Sequence, residues 1–161
     1  MSLVLYLPLS SFAQLFIHDS NYEKGYQQEL SLQGKWKFII GDNLDYAKVT
    51  CDDSDWNIIS VPAYWENEGY PGYDGYAWYR LNPLIPKKLK DNNLYLRLGR
   101  IDDVDEVYIN GHKLNQWGYH GQFYRSSLAM DREYEIPPDL LHFGKKNLIA
   151  VRVYDLSLIH I

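Results

Sequence analysis

The sequence predicts an all-β sandwich of the jelly-roll type, and three observations carry that prediction. Apolar residues recur with period two, not 3.6, through most of the chain. Asn110-Gly111 separates two apolar runs, the strongest short signal of a hairpin, because both residues accept positive φ. Several such strands follow one another with polar turns between them and no long amphipathic helix. The 161 residues suit one domain with a sizeable core.

Each element follows from its own pattern. KWKFII puts Trp36, Phe38 and Ile40 on one face and Lys35 and Lys37 on the other. NLYLRLGRI alternates Leu94, Leu96 and Leu98 against Tyr95 and Arg97. DEVYINGHKL sets Val107 and Ile109 on one face before the Asn-Gly turn. LIAVRVY does the same with Ile149, Val151 and Val153. In GYDGYAWYR, Tyr79 shares parity with Leu81 and is expected inside, while Trp78 and Arg80 share the opposite face. Short helical turns are expected at 53–56 and 138–141. Trp36, Trp56 and Trp65 read as core or edge packing. The chain stops after its last strand without a turn or cap, so the sandwich is expected to lack its last turn or strand.

The two ends differ from the middle. Residues 1–13, ending in SLVLYLPLSSFA, are nearly free of polar side chains beyond serine and too short to span a bilayer. Ser11-Phe12-Ala13 before Gln14 has the small-x-small form of a cleavage site, so this stretch reads as a signal peptide whose positive start lies upstream. The protein is then exported to a periplasm, a cell surface or the medium, in a bacterium. Residues 14–31 read as an N-terminal extension and 32–155 as the sandwich. LSLIHI at 156–161 resembles the translation of a transposase-type sequencing adapter and is expected to be a non-native tail on a truncated frame.

Composition excludes several functions. Net charge is −5 with no basic stripe, which argues against a nucleic-acid partner. Cys51 stands alone, so neither an intrachain disulfide nor a CxxC site exists, and a buried or half-buried thiol is expected. The 15 Tyr and 5 Trp against 5 Phe favour aromatics with a polar handle, suited to surfaces that are apolar on one side and wet on the other.

Motifs of known chemistry are missing: there is no GxSxG, HExxH, P-loop or GxGxxG. None of His18, His112, His120, His142 and His160 is paired at ligand spacing. Two acidic clusters stand out, Asp52, Asp53 and Asp55, and Asp102, Asp103, Asp105 and Glu106. The first reads as a turn cap and the second as solvated acids at the start of a strand. A catalytic pair would need two carboxylates at roughly 5 to 10 Å across a glycosidic bond. No cofactor is expected, although oxygen ligands of this kind would also suit a structural calcium.

LQGKWKF, DDSDWNIISVPAYWENEGY, DGYAWYR, LYLRLGRIDDVDEVYINGHKL, YEIPPDLL and NLIAVRVYD follow one another in order. This series resembles the N-terminal sugar-binding domain of glycoside hydrolase family two, which includes β-galactosidases, β-glucuronidases and β-mannosidases. A similar jelly roll occurs in sialate O-acetylesterases, which share the DG-x-x-WYR phrasing. The resemblance implies a galactose-binding-like jelly roll, followed in the family by an immunoglobulin-like domain and a catalytic (β/α) barrel that carries the reacting carboxylates. It implies a non-catalytic domain whose loops lean over the barrel and touch a β-glycoside or oligosaccharide.

By that match Asp74 is the residue expected to reach a sugar hydroxyl, since a carboxylate accepts two hydroxyl hydrogen bonds. Tyr73 and Tyr76 are expected to stack on a sugar face, with Gly72 and Gly75 allowing a tight loop. Asp155 resembles a second acid of the family near the active site. Trp78 and Arg80 are expected either within the fold or as a docking surface for the barrel. Trp117, in QWGYHGQFY, reads equally as a sugar platform or as an interface plug. Two other functions stay open, a self-sufficient secreted carbohydrate-binding module and the jelly roll of a carbohydrate esterase.

Overall fold

The computed structural model describes residues 16–19, 30–101, 103–118 and 130–155. The expected signal peptide and the expected adapter-derived tail lie outside them. Twelve strands are described. They are β1 (Phe16–Asp19), β2 (Leu30–Ser31), β3 (Gly34–Ile40), β4 (Asn57–Val61), β5 (Gly75–Leu81), β6 (Leu84–Ile85), β7 (Leu94–Arg100), β8 (Val104–Ile109), β9 (His112–Trp117), β10 (Asp131–Ile136), β11 (Lys145–Lys146) and β12 (Ile149–Asp155). Every pairing between them is antiparallel.

The strands form a six-stranded sheet in the order β4-β3-β5-β12-β8-β9 and a four-stranded sheet in the order β10-β7-β1-β2, with β6 and β11 as a separate pair. The period-two patterns explain which face of each is buried. Trp36 and Phe38 of β3, Val107 and Ile109 of β8, and Ile149, Val151 and Val153 of β12 meet Leu94, Leu96 and Leu98 of β7 and Tyr134 and Ile136 of β10 in one cluster between the sheets. The all-β sandwich predicted from alternation is therefore the observed fold. Each fully buried aliphatic side chain in that layer contributes about 1.5–3 kcal/mol. Trp36, Trp56 and Trp65 are all core residues, at 1%, 8% and 5% exposure.

Some details depart from the sequence reading. Leu30–Ser31 and Phe16–Asp19, from the segment read as an extension, supply two strands of the four-stranded sheet, with Ile17 fully buried. Residues 53–56 close a single turn through Trp56 N–H to the Asp53 carbonyl (3.2 Å), with no helix. Their Asp52 Oδ1 caps Ser54 N–H at 3.0 Å, the local bond that makes Asp a turn residue. Pro138–Leu140 is a 3-10 turn, and a second one at Leu44–Ala47 begins at Asn43, whose side chain accepts from Asp45 N–H.

A smaller core lies on the outer face of the six-stranded sheet. The segment between β3 and β4 folds back over it, so that Ala47 and Trp56 cover Trp78, Tyr108, Leu148 and Ala150. Cys51, half-buried, packs at its margin.

Candidate functional site

The register of the large sheet decides which expected site residues meet. Asp155, the last residue of β12, pairs with Gly75, the first of β5. Asp74 therefore sits at the same sheet end as Asp155. Val153 of β12 pairs with Asp105 of β8, which in turn pairs with Trp117 of β9. Trp117 thus shares that end two strands away, roughly 10 Å along the sheet.

The three differ in setting. Asp74 is exposed, on the loop that leads into β5. Asp155 is 9% exposed. Trp117 is half-buried against the main core, with the Arg132 guanidinium 5.9 Å from its ring centroid and its indole N–H buried without a hydrogen-bond acceptor among the described residues.

Tyr73 and Tyr76, both half-buried, hold the loop in place. Tyr73 Oη donates to the Tyr76 carbonyl (2.9 Å) and accepts from Gly41 N–H (3.2 Å). Its ring packs edge-on to Trp65 at 5.8 Å. Gly75 makes this possible: at φ +133° a Cβ there would lie 3.1 Å from the Tyr73 hydroxyl. Tyr76 points to the outer face, with the Arg152 guanidinium 4.3 Å from its centroid and Tyr154 at 4.6 Å. Burial pushes its phenol up, opposed by Arg152, so the hydroxyl stays neutral. Both rings, expected to stack on a sugar, are half-buried and engaged in these internal contacts.

Of the two alternatives for Trp78 and Arg80, packing within the fold is the one observed. Trp78 is fully buried and Arg80 is 3% exposed, because the segment between β3 and β4 covers them. Arg80 Nη1 donates to the Tyr46 carbonyl at 2.9 Å, and the guanidinium stacks on Trp56 at 5.5 Å. Its Nε lies 2.9 Å from Asp53 Oδ2, an ion-pair contact without hydrogen-bond alignment.

Of the second acidic cluster, Asp102 lies outside the described residues and the other three acids are not solvated. Asp103, Asp105 and Glu106 are 8%, 0% and 6% exposed. Asp105 lies between the sheets and accepts from Arg132 Nε at 2.6 Å and from the Tyr134 hydroxyl. Burial pushes its carboxyl up, opposed by the bonds from Arg132 and Tyr134. Arg132 also donates to the carbonyls of Met130 (2.6 Å) and Ile101 (2.9 Å), tying three segments together beneath Trp117.

Glu106 faces the other way. It accepts from Tyr108 (2.7 Å) and lies 3.3 Å from Arg152 Nη1 and 3.0 Å from Lys113 Nζ. Arg152 forks onto both oxygens of Asp42, at 2.8 and 2.6 Å. Sequence reasoning missed this network. The sole signal was an arginine at the outward position of an apolar strand.

No group of three or more His, Cys, Asp or Glu side chains suited to a metal occurs among the described residues. No helix among them is long and apolar enough to cross a membrane.

Comparison with known proteins gives the site a context. No family model matches the chain. A Formosa agariphila protein assigned as a β-glucuronidase is 30% identical over 137 residues, 78% of this chain and 12% of its own. The β-galactosidase BoGH2A of Bacteroides ovatus is 27% identical over 134 residues, 73% of this chain and 14% of its own. Among solved structures, a glycosyl hydrolase family 2 member from Bacteroides cellulosilyticus matches with a TM-score of 0.65 at 26% identity, over 79% of this chain and 18% of that one. The chain thus spans 12 to 14% of the length of these two curated relatives.

Proposed function

We propose that this chain is the non-catalytic front domain of an exported family-two glycoside hydrolase. It shapes the sugar pocket of a catalytic barrel that belongs to the same parent protein. The observation that carries this reading is the similarity of about three quarters of the chain to a small part of much longer glycosidases. The geometry is compatible with it. Asp74 stands exposed at the sheet end that Asp155 and Trp117 share, where a loop can reach into a neighbouring pocket.

In this role Asp74 accepts hydrogen bonds from sugar hydroxyls, and Asp155, nearly buried, holds the loop end. Tyr73 supports the Asp74 loop from within, and Trp117 forms the apolar side of the opening. Cleavage is left to carboxylates of the barrel, and the substrate is a β-glycoside or an oligosaccharide.

The test is to read the gene past the codon for Asp155. A continuous frame encoding an immunoglobulin-like domain and a barrel is the expected result. A stop codon shortly after Asp155 would overturn the reading and leave a small carbohydrate-binding module.

A further inference from the structure

The opposite end of the sandwich carries a second feature, independent of the role proposed for Asp74. A 3-10 turn at Lys87–Leu89 and the turn before β11 border an open, shallow concavity of about 430 Å³ lined by Lys87, Lys90 and Phe143. It lies where β5 ends and β12 begins, one full strand from Asp155, roughly 20 Å away. Lys145 and Lys146 flank it on β11, paired with Ile85 and Leu84.

The charge there is one-sided. Lys87, Lys88, Lys90, Lys145 and Lys146 are five of the chain's sixteen basic residues, and Asp91 is the one acid between residues 83 and 91 or 141 and 148. All five are exposed, and Lys87, Lys90, Lys145 and Lys146 join none of the ion pairs among the described residues. Like charges gathered as Lys87, Lys90, Lys145 and Lys146 are raise the local potential and attract an anion.

The frame is braced. Asn147, 1% exposed, donates to the carbonyls of His142 and Lys145 (both 2.9 Å) and accepts from His142 N–H at 2.7 Å. Gly144 N–H donates to the Ile85 carbonyl at 2.6 Å. The Lys87 stem lies so close over Gly144 that a Cβ there would meet it at 2.7 Å. Phe143 is half-buried, its body packed against the main core.

We propose that this concavity binds an acidic saccharide, with the sugar carboxylate or sulfate between Lys87 and Lys90 and an apolar sugar face on Phe143. Two ammonium groups suit an oxyanion, and an aromatic ring at the same site suits the C–H face of a pyranose. A long polyanion such as nucleic acid is disfavoured by the net charge of −5 over the whole chain.

The test is a ¹H–¹⁵N NMR titration of the protein at low salt with glucuronate, glucose and inorganic sulfate as separate probes. Glucuronate is expected to shift amides at 87–90 and 142–146, glucose to leave them unmoved, and sulfate to bind more weakly than glucuronate. The variant Lys87→Gln/Lys90→Gln is expected to weaken glucuronate about three- to tenfold. Phe143→Leu is expected to weaken glucuronate and not sulfate. All replaced lysines are exposed, and the same spectra report whether each variant is folded. No response to glucuronate, an equal response to glucose, or an unchanged double-lysine variant would overturn the proposal. Sulfate binding as tightly as glucuronate with Phe143→Leu silent would also overturn it, leaving a bare oxyanion site.

Discussion

Gly75 faces Asp155 in the ladder between β5 and β12, so Asp74 emerges at the sheet end where β12 stops. The two acids share a location and differ in exposure, which separates their expected roles. Asp74→Asn keeps the shape and removes the charge of an exposed side chain. It is expected to change stability by less than about 0.5 kcal/mol. In the parent protein proposed above it should weaken β-glycoside binding about tenfold, the size of one hydrogen bond to a charged group. Asp155→Asn, at a site 9% exposed, is expected to cost about 1–3 kcal/mol. Urea unfolding reads the stability of both variants, and calorimetric titration with a β-glycoside reads binding. An Asp74→Asn protein that binds as before would remove Asp74 from the site.

Arg132 and Asp105 form an ion pair in which neither side chain has exposed area. Arg132→Leu would leave the buried Asp105 carboxylate without its cation, with the Tyr134 hydroxyl still donating to it, and would release the carbonyls of Ile101 and Met130. The expected loss is about 3–5 kcal/mol, because an uncompensated buried charge costs more than the pair contributes. Replacing both residues by leucine should cost less than Arg132→Leu alone. Thermal or urea unfolding of the two variants checks the order, and a double variant less stable than the single one would contradict it.

Asn110 heads the two-residue turn at φ +50° and also ties three segments together. Its side-chain amide donates to the Leu140 carbonyl and to Asn147 Oδ1, both at 2.8 Å, and its Oδ1 accepts from Leu148 N–H at 2.8 Å. Asn110→Ala removes these bonds and the residue best suited to that backbone. A cost of about 2–4 kcal/mol is expected, summed from the left-handed φ and the partners left unpaired. Asn110→Gly relieves the backbone and still loses the bonds, so it should fall between wild type and Asn110→Ala in urea midpoint.

The residues that were legible in the sequence are those whose signal is local. Trp36 and Phe38, Leu94 to Leu98, and Val151 and Val153 announce their faces by alternation, and Asn110-Gly111 announces its own turn. Asp105 and Glu106 looked solvated because their partners, Arg132 and Arg152, lie far along the chain, and only strand order brings them close. Trp78 and Arg80 were assigned to the correct face of β5. What hid their burial was the segment between β3 and β4, which carries no strand periodicity yet folds over that face. The coincidence of Asp74 with Asp155 was likewise invisible until the register of β5 and β12 was known.

Arg152 is the hinge of the outer-face network and the residue least replaceable by its nearest chemical relative. Its guanidinium forks onto both Asp42 oxygens, reaches Glu106 at 3.3 Å and stacks on Tyr76 at 4.3 Å. Trp78 Nε1 donates weakly to the same Asp42 oxygen, at 3.3 Å. A lysine carries the charge but has neither the planar fork nor the stacking surface. Arg152→Lys is therefore expected to lose one of the two Asp42 bonds and the contact with Tyr76, at about 1–2 kcal/mol. Because Asp42 directly follows Gly41, whose amide bonds the Tyr73 hydroxyl, the change should loosen the support of the Asp74 loop as well. Hydrogen exchange at the Gly41 and Ala77 amides should quicken in Arg152→Lys while exchange in β7 stays slow. Uniform acceleration across both sheets would instead mark a global loss of stability, with no link from Arg152 to the loop.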